Sequence, residues 1–220
     1  VGVLSEGGDI LGVGGLVEAD KLALSAAGDI GVDGAGNASA LNFTASELAA
    51  DSGGDINLHG SGAGALFIGN NLALGDGTLL SGITGGGSLD LISDSALIID
   101  AVIDMTDEIC VDVVDGSLDI LADVQANNDI FLEASGDVIL GASVIGGTNA
   151  SDNVGITSEQ GTIFNAGGSI ESRILGLSAG GDIGVDSLGA AAPLELDVRF
   201  FALKSGGDTY LNLKNVLYGT

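Results

Sequence analysis

The sequence predicts an all-β protein, a single-stranded right-handed parallel β-helix with coils of roughly 20–26 residues. Three observations lead to this prediction. Short segments that alternate polar and apolar residues recur along the chain, Gly-Asp-apolar tripeptides separate them, and one long segment is repeated. Gly28–Leu58 aligns with Gly181–Leu211 without a gap, with 15 of 31 positions identical. A chain that repeats itself in this way is interpreted first as a stack of repeats.

The clearest repeat is the nonapeptide Ser25–Asp33, which returns at Ser178–Asp186 with one substitution. The distance of 153 residues between the two copies corresponds to about seven coils of roughly 22 residues, within the range of repeat arrays. We expect glycine to form the corners of the coils because it adopts a positive φ at low cost. We expect the aspartate beside it to cap free backbone N–H groups. The predicted corner glycines are Gly28, Gly54, Gly181 and Gly207.

Segments between the glycines have the period-two pattern of short strands. The best helical candidate is Asp94–Val114, which is long and free of glycine, but its Val and Ile content favours strands. Hairpin dipeptides such as Asp-Gly are few, and the recurring order is instead Gly-Asp, so a parallel β-helix is preferred to a sandwich or barrel. Weaker spacing between Leu79 and Asn165 predicts uneven loops on one face.

The composition predicts one solenoid domain over residues 1–220 with a narrow aliphatic core, since the chain has 6 Phe, 2 Tyr and no Trp. We expect this domain to be an excerpt or a processed subunit of a longer repetitive surface protein. No apolar run reaches 18 residues, so we expect no membrane insertion. The single cysteine, Cys110, is expected to be a small buried apolar residue.

The charge is strongly acidic, with 31 Asp and Glu against 5 Lys and Arg. No Lys or Arg lies between Leu22 and Ser172. Binding to nucleic acid or to an anionic membrane surface needs basic residues, so neither is expected. Acidic surfaces stay soluble by self-repulsion or are neutralised by cations such as Ca²⁺.

Calcium is the one cofactor that the sequence suggests. Two aspartate pairs four residues apart lie in equivalent turns, and hard cations bind several carboxylate and carbonyl oxygens. The tandem Ca²⁺-binding nonapeptide array is missing, so the alternative is that these aspartates cap turns and are solvated. The predicted metal ligands are Asp29, Asp33, Asp182 and Asp186.

Catalytic patterns are weak, and we expect no enzymatic activity. Paired acids such as Asp112 and Asp119 could project from adjacent coils as in a glycosidase, but any acidic solenoid offers such pairs by chance. His59 has no nucleophile pattern near it, so an exposed turn histidine is expected. Sequons at Asn37, Asn42 and Asn149 permit glycosylation in a suitable host.

The C-terminal end differs from the rest, because half of the aromatic residues and three of the five basic residues lie there. An acidic body with a basic, aromatic end suggests end-to-end contact between copies, since a terminal coil exposes unpaired strand edges. The alternative is that neighbouring coils of the same chain cover this end. The residues expected at a self-assembly end are Phe200, Phe201, Tyr210 and Tyr218.

Together, the Gly-Asp-Ile coils and the Leu-x-Leu-x-Ala strands resemble the repeat regions of large bacterial exoproteins. These include filamentous-haemagglutinin-like adhesins and related autotransporter passenger domains. The resemblance is carried by Ala27–Ile30, Gly53–Leu58, Gly180–Ile183 and Gly206–Asp208, and it extends loosely over most of the chain. It implies a right-handed β-helix, secretion to the cell surface, and a role as a fibrous or adhesive element. The alternatives are a glycan- or surface-binding module and a polysaccharide-degrading enzyme.

Overall fold

The computed structural model describes residues 1–147, 149 and 151–214, and these residues form a parallel β-helix. They contain no α-helix, and 25 strands belong to one continuous sheet that winds around a central axis. Each strand of this sheet pairs in parallel with the strand one coil later. The predicted fold class is therefore confirmed.

The strands follow three faces of the solenoid, here named A, B and C. Face A contains β1 (Gly2–Ser5), β12 (Ile83–Gly85), β15 (Ile103–Met105), β18 (Val124–Ala126), β21 (Ser143–Ile145) and β27 (Leu211–Leu213). Face B contains β2 (Ile10–Leu11), β3 (Leu16–Glu18), β5 (Ile30–Val32), β6 (Leu41–Thr44), β8 (Ile56–Gly60), β13 (Leu89–Ser93), β16 (Ile109–Val113), β19 (Ile130–Ala134) and β22 (Asn153–Ser158). Face C contains β9 (Leu66–Ile68), β14 (Leu97–Ile99), β17 (Leu118–Ile120), β20 (Val138–Leu140), β23 (Ile163–Asn165) and β25 (Ile183–Val185).

Four longer strands bend from one face to the next. Strands β4 (Lys21–Ala26) and β7 (Glu47–Ser52) lie on faces C and A, and β24 (Ser169–Ala179) and β26 (Leu194–Ser205) lie on faces A and B. The remaining two strands, β10 (Leu72–Ala73) and β11 (Leu79–Leu80), form a separate antiparallel hairpin. The candidate helix Asp94–Val114 contains β14, β15 and β16, so the preference for strands is confirmed.

Inward-facing side chains stack in rows along the axis and form one continuous aliphatic core. Neighbouring residues in a row lie roughly 4.8 Å apart, the spacing of hydrogen-bonded strands. Ten residues of the row on face A therefore extend over roughly 45 Å. They are Val3, Leu24, Ala50, Ile83, Ile103, Val124, Val144, Ile170, Leu196 and Leu213. The narrow aliphatic core predicted from composition is confirmed, with Phe43 as its one fully buried ring among the described residues.

Coil lengths agree with the predicted range except in one coil. Cross-coil hydrogen bonds join residues 20 and 26 apart at most corners, but 33 apart between Asp55 and Ser88. The additional residues of that coil include the β10–β11 hairpin. Its Leu72 and Leu74 cover Ala23 and Ala49, which face outward from β4 and β7 and would otherwise be exposed.

The expectation of uneven loops between Leu79 and Asn165 is wrong for most of that range. Strands β12, β15, β18 and β21 follow one another in the shortest coils of the solenoid, with cross-coil bonds between residues 20 or 21 apart. These coils need no Gly-Asp tripeptide because Ser, Glu and Thr occupy several of the same corner positions. The spacing was therefore weak in sequence letters but regular in space.

The two copies of the nonapeptide lie on different faces, which the sequence did not predict. Ile30 opens β5 on face B, whereas Ile183 opens β25 on face C. Six coils and one further face separate them, instead of about seven whole coils. The nonapeptide is therefore a local corner unit that the solenoid uses at more than one of its edges.

Candidate functional site

Aspartates at the corner between faces A and B link each coil to the next. The backbone N–H of Asp29 donates to Oδ1 of Asp9 (2.9 Å), and the N–H of Asp55 donates to Oδ1 of Asp29 (2.9 Å). The N–H of Ser88 continues the series by donating to Oδ1 of Asp55 (2.9 Å). Each carboxylate therefore satisfies a corner N–H group that the parallel ladder leaves without a carbonyl partner.

A second series of the same kind lies at the corner between faces B and C. The N–H of Thr162 donates to Oδ1 of Asp137 (2.8 Å), and the N–H of Asp208 donates to Oδ1 of Asp182 (2.7 Å). Between them, the hydroxyl of Thr162 accepts from the N–H of Asp182 (3.3 Å). The predicted capping role of Asp29 and Asp182 agrees with these bonds, but each residue caps the following coil.

The predicted positive φ at the corner glycines is wrong. Residues Gly28, Gly54, Gly181 and Gly207 do not have a positive φ. A Cβ at Gly54 would overlap Oδ1 of Asp29, and the same overlap occurs at Gly28 and Gly207 with the carboxylates of the preceding coil. These positions require glycine because a carboxylate of the preceding coil lies against the backbone.

The positive φ occurs instead three residues later in the nonapeptide. Gly31 and Gly184 both have φ of 77°, and at each a Cβ would overlap a backbone carbonyl oxygen of the next coil. The parallel register also shifts beside both glycines. The repeated Gly-Val after Ile30 and Ile183 was the sequence signal that could have located this bulge.

The remaining two predicted metal ligands cap loops of their own. Oδ1 of Asp33 accepts from the N–H groups of Ala35 (2.8 Å) and Asn37 (3.0 Å). Oδ1 of Asp186 accepts from Leu188 and Ala190 (both 2.9 Å). Hydrogen bonds from the Asn37 side chain and from the loop backbone lower the pKa of Asp33.

The structure thus engages the four predicted calcium ligands in hydrogen bonds at two distinct places in each turn. Among the described residues no group of three or more His, Cys, Asp or Glu side chains is arranged to hold a metal ion. Calcium binding at Asp29, Asp33, Asp182 and Asp186 stays a prediction.

Acidic side chains are concentrated on the outer surface of face B. Asp90 lies beside Cys110 in one row, and Asp112 lies beside Glu133 in the next. Burial, followed by repulsion from Asp112, raises the pKa of Asp90. Burial, followed by repulsion from Asp112 and Glu159, raises the pKa of Glu133. The charged forms of these carboxylates therefore destabilise the face on which they lie.

The prediction of a buried Cys110 is wrong, because this residue points outward from β16 between two buried neighbours and is half-buried. Burial, with repulsion from Asp90 and other acids, raises the pKa of its thiol. A raised pKa leaves little thiolate, and the thiolate is the nucleophile, so this cysteine is unreactive near neutral pH.

The pair suggested for a glycosidase is separated by the fold. Asp112 lies on β16 of face B, whereas Asp119 lies on β17 of face C, in the same coil and pointing from different faces. The carboxylates that do lie side by side are those of Asp112 and Glu133. The expectation of no enzymatic activity stays a prediction.

His59 is not in a turn, so the prediction of an exposed turn histidine is wrong. It lies in β8, one third of its side chain is exposed (33%), and its Nε2 is 2.9 Å from Oδ1 of Asp94. Of the sequons, Asn37 and Asn149 are exposed and Asn42 is half-buried.

Core residues of the last coil are exposed at the C-terminal end. Phe201 stacks on Leu175 in the core row of face B and is 44% exposed, and Leu203 stacks on Leu177 and is 42% exposed. Phe200 is more exposed (59%), and Tyr210 is half-buried near the corner to face C. The fourth residue predicted at this end, Tyr218, lies outside the described residues.

These features define a class of protein, a three-faced parallel β-solenoid whose repeated polar groups link coils. Comparisons with protein-family models, curated proteins and solved structures found no match. No described segment is a helix long and apolar enough to cross a membrane.

Proposed function

We propose that this chain is a structural and adhesive element of an extracellular, cell-surface fibre, and that further coils stack on its ends. The partners are copies of the chain or neighbouring repeats of the same chain. The observation that carries this proposal is the exposed core of the last coil. Phe201 and Leu203 occupy core rows but have no coil above them among the described residues.

The edge of the last strand supports the same proposal. Strand β26 pairs with β24 along Phe200–Ser205, and no described strand pairs with the other edge of that segment. Unpaired edges of this kind bind another strand readily. A further coil would both satisfy these backbone groups and bury the two apolar side chains.

Core residues are also exposed at the other end. Leu4, Leu11 and Leu16 of the first coil are 38%, 47% and 54% exposed. If copies stack in register, Ile10 of one copy continues the row that ends at Phe201 of the next. Contacts of this type are heterologous and therefore generate open filaments.

Charges at the two ends are complementary. The last coils carry Arg199, Lys204 and Lys214, whereas the first coil carries an excess of acidic residues. The acidic residues are Glu6, Asp9, Glu18 and Asp20. Complementary charges favour one orientation of stacking and increase the rate of association.

The finer assignment, to filamentous-haemagglutinin-like or autotransporter-type surface proteins, belongs to the same proposal. It is supported by the coil-forming Gly-Asp-Ile tripeptides and by the acidic composition. Surface labelling of intact cells that express the complete gene would test the location: an antibody to this chain should bind without permeabilisation.

Sedimentation velocity and electron microscopy of the purified 220-residue chain test the stacking. We expect rods whose lengths are multiples of roughly 45 Å and whose number increases with protein concentration. The double variant Phe201→Asp/Leu203→Asp should shift the population to single particles. Phe131→Asp is the matched control, since Phe131 is similarly exposed (40%) but lies on the side of the solenoid. Single particles at every concentration of the unmodified chain would contradict self-assembly.

A further inference from the structure

We infer that a groove on the outer surface of face A binds a neutral, polyhydroxylated ligand of the size of a disaccharide. This binding activity goes beyond the structural role, because the groove lies on the side of the solenoid and away from both ends. Its volume is about 490 Å³, within the range of small-molecule sites.

Three successive coils form the floor of the groove. Asp104, Gln125 and Ile145 are register partners on β15, β18 and β21, and all three line the groove. Asn127 also lines it, two residues after Gln125 and therefore on the same side of the backbone. Polar groups from adjacent coils are consequently about 4.8 Å apart, a spacing that suits neighbouring hydroxyl groups of a sugar ring.

Two glycines keep the floor open where side chains would otherwise fill it. A Cβ at Gly147 would overlap both the backbone oxygen of Asn127 and the carboxylate of Asp152, and a Cβ at Gly146 would lie 2.6 Å from Cγ2 of Val154. Asp152 is itself only 4% exposed, so the wall behind the glycines is packed. The shape of the groove is therefore determined by backbone contacts that do not depend on a ligand.

The polar side chains in the groove are free to bind. Elsewhere on the surface, carboxamides are engaged by neighbouring carboxylates, as Asn37 is by Asp33 and Asn153 is by Asp129. Within the described residues, no hydrogen bond engages the side chains of Asp104, Gln125 or Asn127.

The chemistry of these groups identifies the class of ligand. A carboxylate accepts hydrogen bonds from hydroxyl groups, and each carboxamide both donates and accepts. Ile145 adds an apolar surface on which the C–H groups of a sugar ring can pack. The net charge of −26 and the carboxylate of Asp104 disfavour sulfated, phosphorylated or carboxylated ligands. A neutral oligosaccharide satisfies all of these conditions.

Proton–nitrogen NMR titration of the 220-residue chain with maltose, cellobiose and lactose tests the inference. We expect at least one of these disaccharides to shift the side-chain amide signals of Gln125 and Asn127 together with the backbone signals of Gly146 and Gly147. Gln125→Ala and Asn127→Ala should each weaken binding by roughly fivefold or more, the effect of losing one or two ligand hydrogen bonds.

Asn57→Ala is the matched control, because Asn57 is an outward-facing carboxamide on β8 of face B. It should leave the affinity unchanged, and the well-dispersed spectrum of each variant confirms that it is folded. Three results would overturn the inference: no shift with any of the three sugars, shifts confined to another face, or equal affinity in Gln125→Ala. None of these results depends on end-to-end stacking, so the two proposals fail independently.

Discussion

The backbone N–H of Asp55 donates a 2.9 Å hydrogen bond to Oδ1 of Asp29, the residue at the same corner one coil earlier. The backbone of Gly54 lies against the same oxygen. One carboxylate therefore caps the following coil and determines which residue can precede the cap. This relationship recurs at Asp182 with Asp208 and Gly207, and it leads to the first two predictions.

Replacing Asp29 by alanine should destabilise the solenoid by about 1 kcal/mol, since the N–H of Asp55 loses its acceptor, as at a helix N-cap. Denaturant unfolding followed by circular dichroism measures the change. Asp115→Ala is the control: Asp115 is exposed at a turn, and its removal should have little effect. Equal stabilities of the two variants would contradict the capping role of Asp29.

Gly54→Ala should destabilise to a similar extent, because the new Cβ displaces the Asp29 carboxylate from the N–H of Asp55. The two substitutions are therefore coupled, and in an Asp29→Ala background the further cost of Gly54→Ala should be small. A double-mutant cycle measures this coupling.

Two other glycines provide the controls for this cycle. Gly64→Ala should be tolerated, since no atom lies within 4 Å of its added Cβ and its φ is not positive. Gly53→Ala should be strongly destabilising in either background, because its Cβ would overlap the backbone oxygen of Ala27. Additive effects of the Asp29 and Gly54 substitutions would show that the carboxylate is not what excludes a side chain at residue 54.

Asp90→Asn should raise the unfolding midpoint at pH 7 by roughly 1–4 °C. Burial, with repulsion from Asp112, raises the pKa of Asp90 in the folded chain. Its contribution to stability is therefore complete below the unfolded-state pKa, near 4, and is lost as pH rises through the folded-state pKa. The gain from the substitution should accordingly vanish near pH 3 in melting experiments.

Asp33→Asn provides the opposite sign. Hydrogen bonds from Asn37 and Ala35 lower the pKa of Asp33, so its contribution is present above the unfolded-state pKa and is lost as pH falls through the folded-state value. This variant should have a lower midpoint than the unmodified chain at pH 7. A gain in stability at pH 7 from both substitutions would indicate general charge reduction in place of these local causes.

Melting with and without Ca²⁺ tests the calcium prediction. Binding to the folded chain alone should raise the midpoint with increasing Ca²⁺. If Asp29 with Asp33 and Asp182 with Asp186 are ligands, Asp33→Asn/Asp186→Asn should abolish most of that increase, and Mg²⁺ should not reproduce it. Equal increases from both ions would instead indicate screening of the acidic surface, and no increase would count against structural calcium.

The sequence by itself determined the class of fold, the position of the corners and the aliphatic core. Ile10, Ile30 and Ile56 could be placed in one row from spacing alone, because stacking requires similar side chains at equivalent positions of successive coils. The aspartate beside each corner could likewise be recognised as a cap. These are local properties, and residues close in sequence determine them.

Only the tertiary structure decided which coil and which face each residue occupies. The nonapeptide at Ile183 repeats the one at Ile30 but lies on another face, since coils of unequal length shift the register between copies. The reason for glycine at Gly54 is a carboxylate 25 residues away in sequence, and Cys110 points outward through its register with Asp90. Asp104, Gln125 and Asn127 form one groove only because the parallel coils bring them together. Contacts between coils depend on the length of every intervening loop, and local residue patterns do not encode that sum.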